Sequence, residues 1–116
     1  MIETIRRLGC QTRLAINPDT PLAAVEHLLP ALDLFLVMTV FPGFGGQAFM
    51  ADALGKAAEA ARIRSERGLR FVIEVDGGVK PANAGLVREA GAQIIVAGTA
   101  IFGSADYAAS IAAIRA

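Results

Sequence analysis

The sequence contains one cysteine, one histidine and no tryptophan. Cys10 cannot form a disulfide within the chain, and no histidine or second cysteine stands at a spacing that would indicate a catalytic thiol. The single histidine, His27, excludes a histidine-rich metal site. Thiol chemistry and histidine-based metal binding are therefore not expected.

An excess of charge of one sign is also missing. The 11 Lys and Arg residues balance the 11 Asp and Glu residues, so the formal net charge is zero. Without a basic field the chain has little means of holding nucleic acid or an anionic membrane surface. We therefore expect neither nucleic acid nor a membrane among its partners.

Long apolar runs are absent, although hydrophobic residues make up 54% of the sequence. The longest run, Leu34 to Val40, is far shorter than the roughly 20 residues of a membrane-spanning helix. Residues 1–9 contain no apolar segment of the kind found in a secretory signal peptide. The composition excludes intrinsic disorder and favours a soluble, cytoplasmic protein.

Short β-rich apolar runs alternate with longer alanine-rich stretches, a pattern that is typical of βα units. Four strands are predicted, at Arg13 to Asn17, Leu34 to Val40, Phe71 to Asp76 and Ile94 to Gly98. The first predicted helix runs from Pro21 to Leu29, with Thr20 as its N-cap, and the second runs from Phe49 to Arg67 and ends at Gly68. Two more are predicted from Pro81 to about residue 90 and from Ser104 to the C-terminus. Residues 2–8 are predicted to end a further helix. No linker interrupts this pattern, so residues 1–116 are expected to form one unit.

Four parallel βα units can form an open doubly wound sheet or part of an α/β barrel. Residues suited to chemistry follow every predicted strand, at Asn17-Pro18, Pro42 to Gln47, Asp76 to Gly78 and Gly98-Thr99. An open sheet binds its ligand at one switch point, whereas the strand ends of a barrel converge on one site. The distribution therefore favours a barrel.

Glycines follow three successive strands, at Gly43, Gly45 and Gly46, at Gly77 and Gly78, and at Gly98 before Thr99. Because glycine has no Cβ, backbone amides at such positions can approach an anion closely. A flexible turn would explain any one loop, but the arrangement recurs at three strand ends. We predict a phosphate site between these loops. Arg70 and Lys80 flank the third strand and are predicted to lie on the solvated surface.

Asp76 is the only acidic residue at the C-terminal end of a predicted strand. A carboxylate there could act as a general acid or base, or bind a divalent metal ion. The structural alternative is an Asx-type turn or a helix N-cap, a common use of Asp before two glycines. Met38 also falls near a strand end, where a thioether could contact a substrate, although a core position is the more common use.

Three segments carry a resemblance to a known family: LVMTVFPGFGGQ at residues 36–47, IEVDGGV at residues 73–79 and VAGTAIF at residues 96–102. In order and spacing they closely resemble ribulose-phosphate 3-epimerase, and NPDTPL at residues 17–22 looks like that family's Asn-Pro-x-Thr-Pro segment. The resemblance implies a (β/α)₈ barrel, which usually needs roughly 250 residues. The 116 residues are therefore expected to be the C-terminal half of a TIM barrel, an α/β unit of four parallel βα repeats.

The resemblance also implies an activity, the interconversion of D-ribulose 5-phosphate and D-xylulose 5-phosphate by metal-assisted, two-base proton transfer at C3. The divalent metal would be zinc, iron, manganese or cobalt. Asp76 resembles the family aspartate that ligates this metal and serves as one acid/base group. Met38 resembles a methionine close to the reacting carbon. The implied substrate and phosphate contacts are Gly43, Phe44, Gly45, Gly46, Gly77, Gly78, Gly98 and Thr99, of which the last two resemble a Gly-Ser pair.

The family's other metal ligands and its second acid/base group have no counterpart in these residues. Epimerisation next to a ketone needs groups on both faces of the substrate, and Asp76 supplies only one. We therefore expect the isolated chain to be a poor catalyst that either associates with itself or needs an N-terminal half to complete the barrel. Three alternatives are a non-catalytic phosphate-binding half-barrel, a complementing subunit, and an allulose-phosphate 3-epimerase.

Overall fold

The computed structural model describes residues 1–43 and 47–116. Within them a parallel sheet has the order β1-β2-β3-β4, formed by β1 (Arg13–Ile16), β2 (Leu34–Met38), β3 (Val72–Asp76) and β4 (Ile94–Val96). The α-helices are α1 (Ile2–Arg7), α2 (Leu54–Arg67), α3 (Pro81–Glu89), α4 (Thr99–Phe102) and α5 (Tyr107–Arg115). Short 3₁₀ helices lie at Leu22–Ala24, Glu26–Ala31 and Ala51–Ala53. The prediction of four sequential parallel strands is confirmed.

One face of the sheet is covered by helices. Side chains alternate between the two faces of a strand, and the members that point toward the helices are fully buried at Phe35, Val37, Ile73 and Val75. Helices α2 and α3 contribute small and branched residues at helical spacing, namely Ala57, Ala60, Ile63, Ala84 and Val87. The hydrophobic core therefore lies between the sheet and these helices.

The opposite face of the sheet is open. The strand register aligns Leu36, Glu74 and Ile94 in one row and Met38, Asp76 and Val96 in the next. Ile94 is 41% exposed and Val96 is 36% exposed, and the other four residues are half-buried. We call these six residues the open face. In a closed eight-stranded barrel the corresponding positions face the interior.

Helix α2 ends at Gly68, as predicted. Gly68 has φ 64° and ψ 35°, the left-handed conformation that glycine adopts without strain. On the exposed side of α2, Arg62 forms ion pairs with Glu59 and Glu66. No helix among the described residues combines the length and the apolarity needed to cross a bilayer.

Three predicted helix boundaries were wrong. The helix expected from Pro21 to Leu29 is a pair of 3₁₀ segments, and the second of them contains Pro30, which lacks an N–H and disfavours the α conformation at the preceding residue. Thr20 makes no side-chain cap there. The second helix begins at Leu54 rather than Phe49. The last helix begins at Tyr107 rather than Ser104, and the side chain of its N-cap, Asp106, accepts a hydrogen bond from the Ala109 amide at 3.1 Å. The short helix α4 was not predicted.

Candidate functional site

A cleft of about 670 Å³ opens at the C-terminal ends of β2, β3 and β4. Ligand sites typically enclose about 300 to 1,000 Å³. Among its lining residues are seven predicted site residues, Met38, Gly43, Asp76, Gly77, Gly78, Gly98 and Thr99. The structure therefore brings three of the four strand ends together. Asn17 and Pro18, after β1, do not line the cleft, and their carbonyl oxygens accept hydrogen bonds from Lys56 on α2.

Asp76 is the one acidic residue among the described residues that line the cleft. It is half-buried at the end of β3, between Met38 and Val96 in the strand register. Burial raises the pKa of its carboxyl group above the usual value, because apolar surroundings disfavour the charged form. A raised pKa brings a carboxylic acid closer to the neutral range in which proton exchange is efficient.

The structure does not show Asp76 in the turn or helix-cap role that its sequence position also allowed. In the part of the chain that the structure describes, its side chain makes neither an Asx turn nor a helix cap. Helix α3 is capped instead by Lys80 and Asn83, with the Asn83 Oδ1 atom accepting from the Lys80 amide at 2.8 Å. Asp76 is therefore available to the cleft, and its catalytic and metal-binding roles remain predictions.

The Gly77-Gly78 turn requires glycine at both positions. Gly77 has φ 132° and Gly78 has φ 69°. A Cβ on Gly77 would lie 2.7 Å from both the Cγ2 atom and the backbone nitrogen of Val40, and one on Gly78 would lie 2.9 Å from the Phe49 Cα. The turn after β3 thus packs directly against the two ends of the loop that follows β2, and this close approach shapes the floor of the cleft.

A fully buried threonine, Thr39, joins these loops. Its amide donates to the Asp76 carbonyl oxygen at 2.9 Å, and its hydroxyl donates to the Gly77 carbonyl oxygen. Its own carbonyl oxygen accepts from the Met50 amide at 2.8 Å. Sequence reasoning missed Thr39, although a hydroxyl within an otherwise apolar run was a signal that it needed a partner.

The glycine-rich loop after β2 is described at its two ends. Pro42, Gly43 and Gln47 line the cleft, and the Gln47 side-chain amide donates to the Phe41 carbonyl oxygen. The predicted substrate residues Phe44, Gly45 and Gly46 lie outside the described residues. Their assignment therefore stays a prediction.

Lys80 is exposed, as predicted for a surface residue, and it also lines the cleft. It follows the Gly77-Gly78 turn by two residues. Arg70, at the other end of β3, is exposed and does not line the cleft. The sequence signal for Lys80 was its position immediately downstream of the strand end that carries Asp76.

A metal ion fits the described residues only in part. Within residues 1–43 and 47–116, no group of three or more His, Cys, Asp or Glu side chains is arranged to hold one. Asp76 offers a single carboxylate to the cleft, whereas catalytic zinc sites use three protein ligands. The described residues thus do not form a metal site by themselves.

Comparisons with known proteins agree with this geometry. The Ribulose-phosphate 3 epimerase family model matches residues 1–102. Ribulose-phosphate 3-epimerase of Synechocystis sp. is 50% identical over 111 residues, which cover 96% of this chain and 48% of that protein. Chloroplastic ribulose-5-phosphate-3-epimerase of Arabidopsis thaliana is 47% identical over 115 residues, covering 99% of this chain and 41% of that protein.

The solved structures that match include a 3-hexulose-6-phosphate synthase, with a TM-score of 0.66 and 23% identity over 98% of this chain and 52% of that one. At this identity the match concerns the fold alone. It confirms the prediction of a TIM-barrel segment. The chain spans about half the length of the curated relatives it matches.

Proposed function

Because this chain belongs to the ribulose-phosphate 3-epimerase family, we propose that its cleft serves the interconversion of D-ribulose 5-phosphate and D-xylulose 5-phosphate. The main observation in support is that Asp76, a carboxylic acid with a raised pKa, lines the same cleft as three glycine-bearing loops. The carboxylate supplies proton transfer, and the loops supply a site for the phosphate group.

Asp76 acts as one acid/base group of the reaction. In its ionised form it takes the proton from C3 of the ketose phosphate, and the electron pair of the broken C–H bond moves toward the C2 carbonyl oxygen. Return of a proton to the opposite face of C3 inverts that centre, and a group outside the described residues provides it. Asp76 would be one ligand of a divalent metal ion whose other ligands lie outside the described residues, and such an ion would supply Lewis-acid charge to the cleft.

The phosphate group of the substrate binds between the loops. The exposed residues Gly43, Gly78, Gly98 and Thr99 line the cleft and offer their amides to it, and Lys80 adds one positive charge. Amide dipoles that converge on one point hold an anion without mobile cationic side chains. A phosphate-binding unit without catalysis is the second function that this cleft supports, because one acidic residue is present among the described residues that line it.

Titration with inorganic phosphate or ribulose 5-phosphate is expected to shift the amide NMR signals of Gly43, Gly77, Gly78, Gly98 and Thr99. Lys80→Ala should weaken phosphate binding about fivefold, as expected for an exposed charge pair of about 1 kcal/mol. Arg70→Ala is the matched control, since Arg70 is an exposed cation at the opposite end of β3. Shifts confined to surface arginines, with these glycines unmoved, would exclude the site.

We also propose that two copies of this chain associate through the open face. Strands β1 and β4 form the two edges of the sheet, and parallel edges with unpaired backbone groups favour pairing with another strand. Two copies would supply the eight strands of a barrel if β1 of one paired with β4 of the other. Closure would bury the apolar members of the open face, among them Ile94 and Val96.

Sedimentation equilibrium at micromolar concentration is expected to give twice the chain mass of 12.1 kDa. Ile94→Lys should return the monomer, because it places a charge on both the open face and the β4 edge. Leu86→Lys is the control, since Leu86 is 53% exposed on α3 and belongs to neither surface. A 12.1 kDa species whose edge-strand amides are protected from hydrogen exchange would rule out the association.

A further inference from the structure

We propose that Thr39 is a positioning residue that holds the Asp76-Gly77-Gly78 segment in its working conformation, an inference that rests on the proposed function of the cleft. Thr39 follows β2 directly and does not line the cleft. The residue is 0% exposed. It therefore acts on a bound substrate only through the residues that it holds.

Thr39 binds the carbonyl oxygens of two successive residues. Its amide donates to Asp76 and its hydroxyl donates to Gly77, so the peptide groups on both sides of Gly77 are fixed by one residue. The Thr39 carbonyl oxygen also holds the Met50 amide, beyond the glycine-rich loop. One buried residue thus connects the end of β2, the turn after Asp76 and the exit of the glycine-rich loop.

Fixing the Gly77 carbonyl group also sets the direction of the next amide. In a planar trans peptide the N–H points opposite to the C=O, so the Gly78 N–H points away from Thr39. In the part of the chain that the structure describes, that N–H donates to no protein group. Gly78 is exposed and lines the cleft, where a phosphate oxygen can accept this hydrogen bond.

The restraint matters because the turn consists of two glycines. Both have positive φ, and glycine has a wider choice of backbone conformations than any other residue. Without the hydroxyl, the Gly77 carbonyl oxygen loses its partner, and the turn can rotate away from the orientation that serves the ligand. The Asp76 carboxylate, one residue upstream, would lose its fixed position as well.

Thr39→Val removes the hydroxyl at nearly constant volume, and Thr39→Ser keeps it. We expect Thr39→Val to weaken ribulose 5-phosphate binding about tenfold, the loss typical of one buried hydrogen bond, and Thr39→Ser to bind within about twofold of the wild type. Thr12→Val is the matched control. Thr12 is also 0% exposed, and its hydroxyl donates to the Ala31 carbonyl oxygen at the opposite end of the strands. It should lose stability but keep the wild-type affinity.

A ligand-free readout separates this inference from the proposed function. Backbone ¹⁵N relaxation of the free protein should show that Gly77 and Gly78 become mobile in Thr39→Val and stay ordered in Thr39→Ser and Thr12→Val. If the wild-type protein binds no sugar phosphate, the proposed function is contradicted, but the relaxation of Gly77 and Gly78 in the three variants still tests the role of Thr39. Ordered glycines together with wild-type affinity in Thr39→Val would overturn the role of Thr39. If that variant does not fold, Thr39→Ala gives the same comparison.

Discussion

Gly77→Ala is expected to lower the free energy of unfolding by about 2 to 4 kcal/mol, which corresponds to a fall in Tm of roughly 8 to 16 °C for a chain of this size. The new Cβ would lie 2.7 Å from the backbone nitrogen of Val40, and a backbone atom cannot yield as a flexible side chain can. The φ of 132° adds strain for any residue with a side chain. Urea unfolding followed by circular dichroism measures the change.

Gly55→Ala is the control for that substitution. Gly55 lies in the first turn of α2, a Cβ added there would have no neighbouring atom within 4 Å, and its φ is not positive. Alanine is a better helix former than glycine, so this variant should gain about 0.5 to 1 kcal/mol. Equal effects from the two substitutions would show that the turn after β3 does not approach Val40 as closely as the structure has it.

The purified chain is expected to epimerise ribulose 5-phosphate at least about 10² to 10⁴-fold more slowly than the Synechocystis relative, the cost of one missing acid/base group. The reaction needs groups on both faces of C3, and Asp76 is the acid that the described cleft provides. The assay is xylulose 5-phosphate formation with added Zn²⁺, Mn²⁺, Fe²⁺ or Co²⁺.

Co-expression with the part of the Synechocystis enzyme outside the 111 matched residues should restore turnover. In that assembly Asp76→Asn should again cost about 10² to 10⁴-fold, because the amide cannot take up the proton. Asp52→Asn, which removes an exposed carboxylate outside the cleft, should cost nothing. Full turnover by the chain alone, abolished by Asp76→Asn, would mean that this cleft contains both acid/base groups.

Strands and helices differed in how well the sequence predicted them. Strands β2 and β3 were predicted because apolar runs of strand length are bounded by proline, glycine or aspartate. The segment from Pro21 to Leu29 has the composition of a helix, but the structure forms two 3₁₀ segments there, the second of which contains Pro30. Helix α2 starts at Leu54, because Met50 is extended, with φ −99° and ψ 91°, and a 3₁₀ turn at Ala51–Ala53 follows it. Local composition does not report such a change of backbone conformation.

The sequence by itself determined the βα order, the glycines that follow the strands, Asp76 as the acidic residue at a strand end, and the family to which these motifs belong. These features depend on residue type and on spacing along the chain. The tertiary structure alone decided that Lys80 lines the cleft, that Gly77 touches Val40, and that Thr39 holds the turn. The last contact joins residues 38 positions apart, and a hydrogen bond over that distance exists only after β2 and β3 have paired in register.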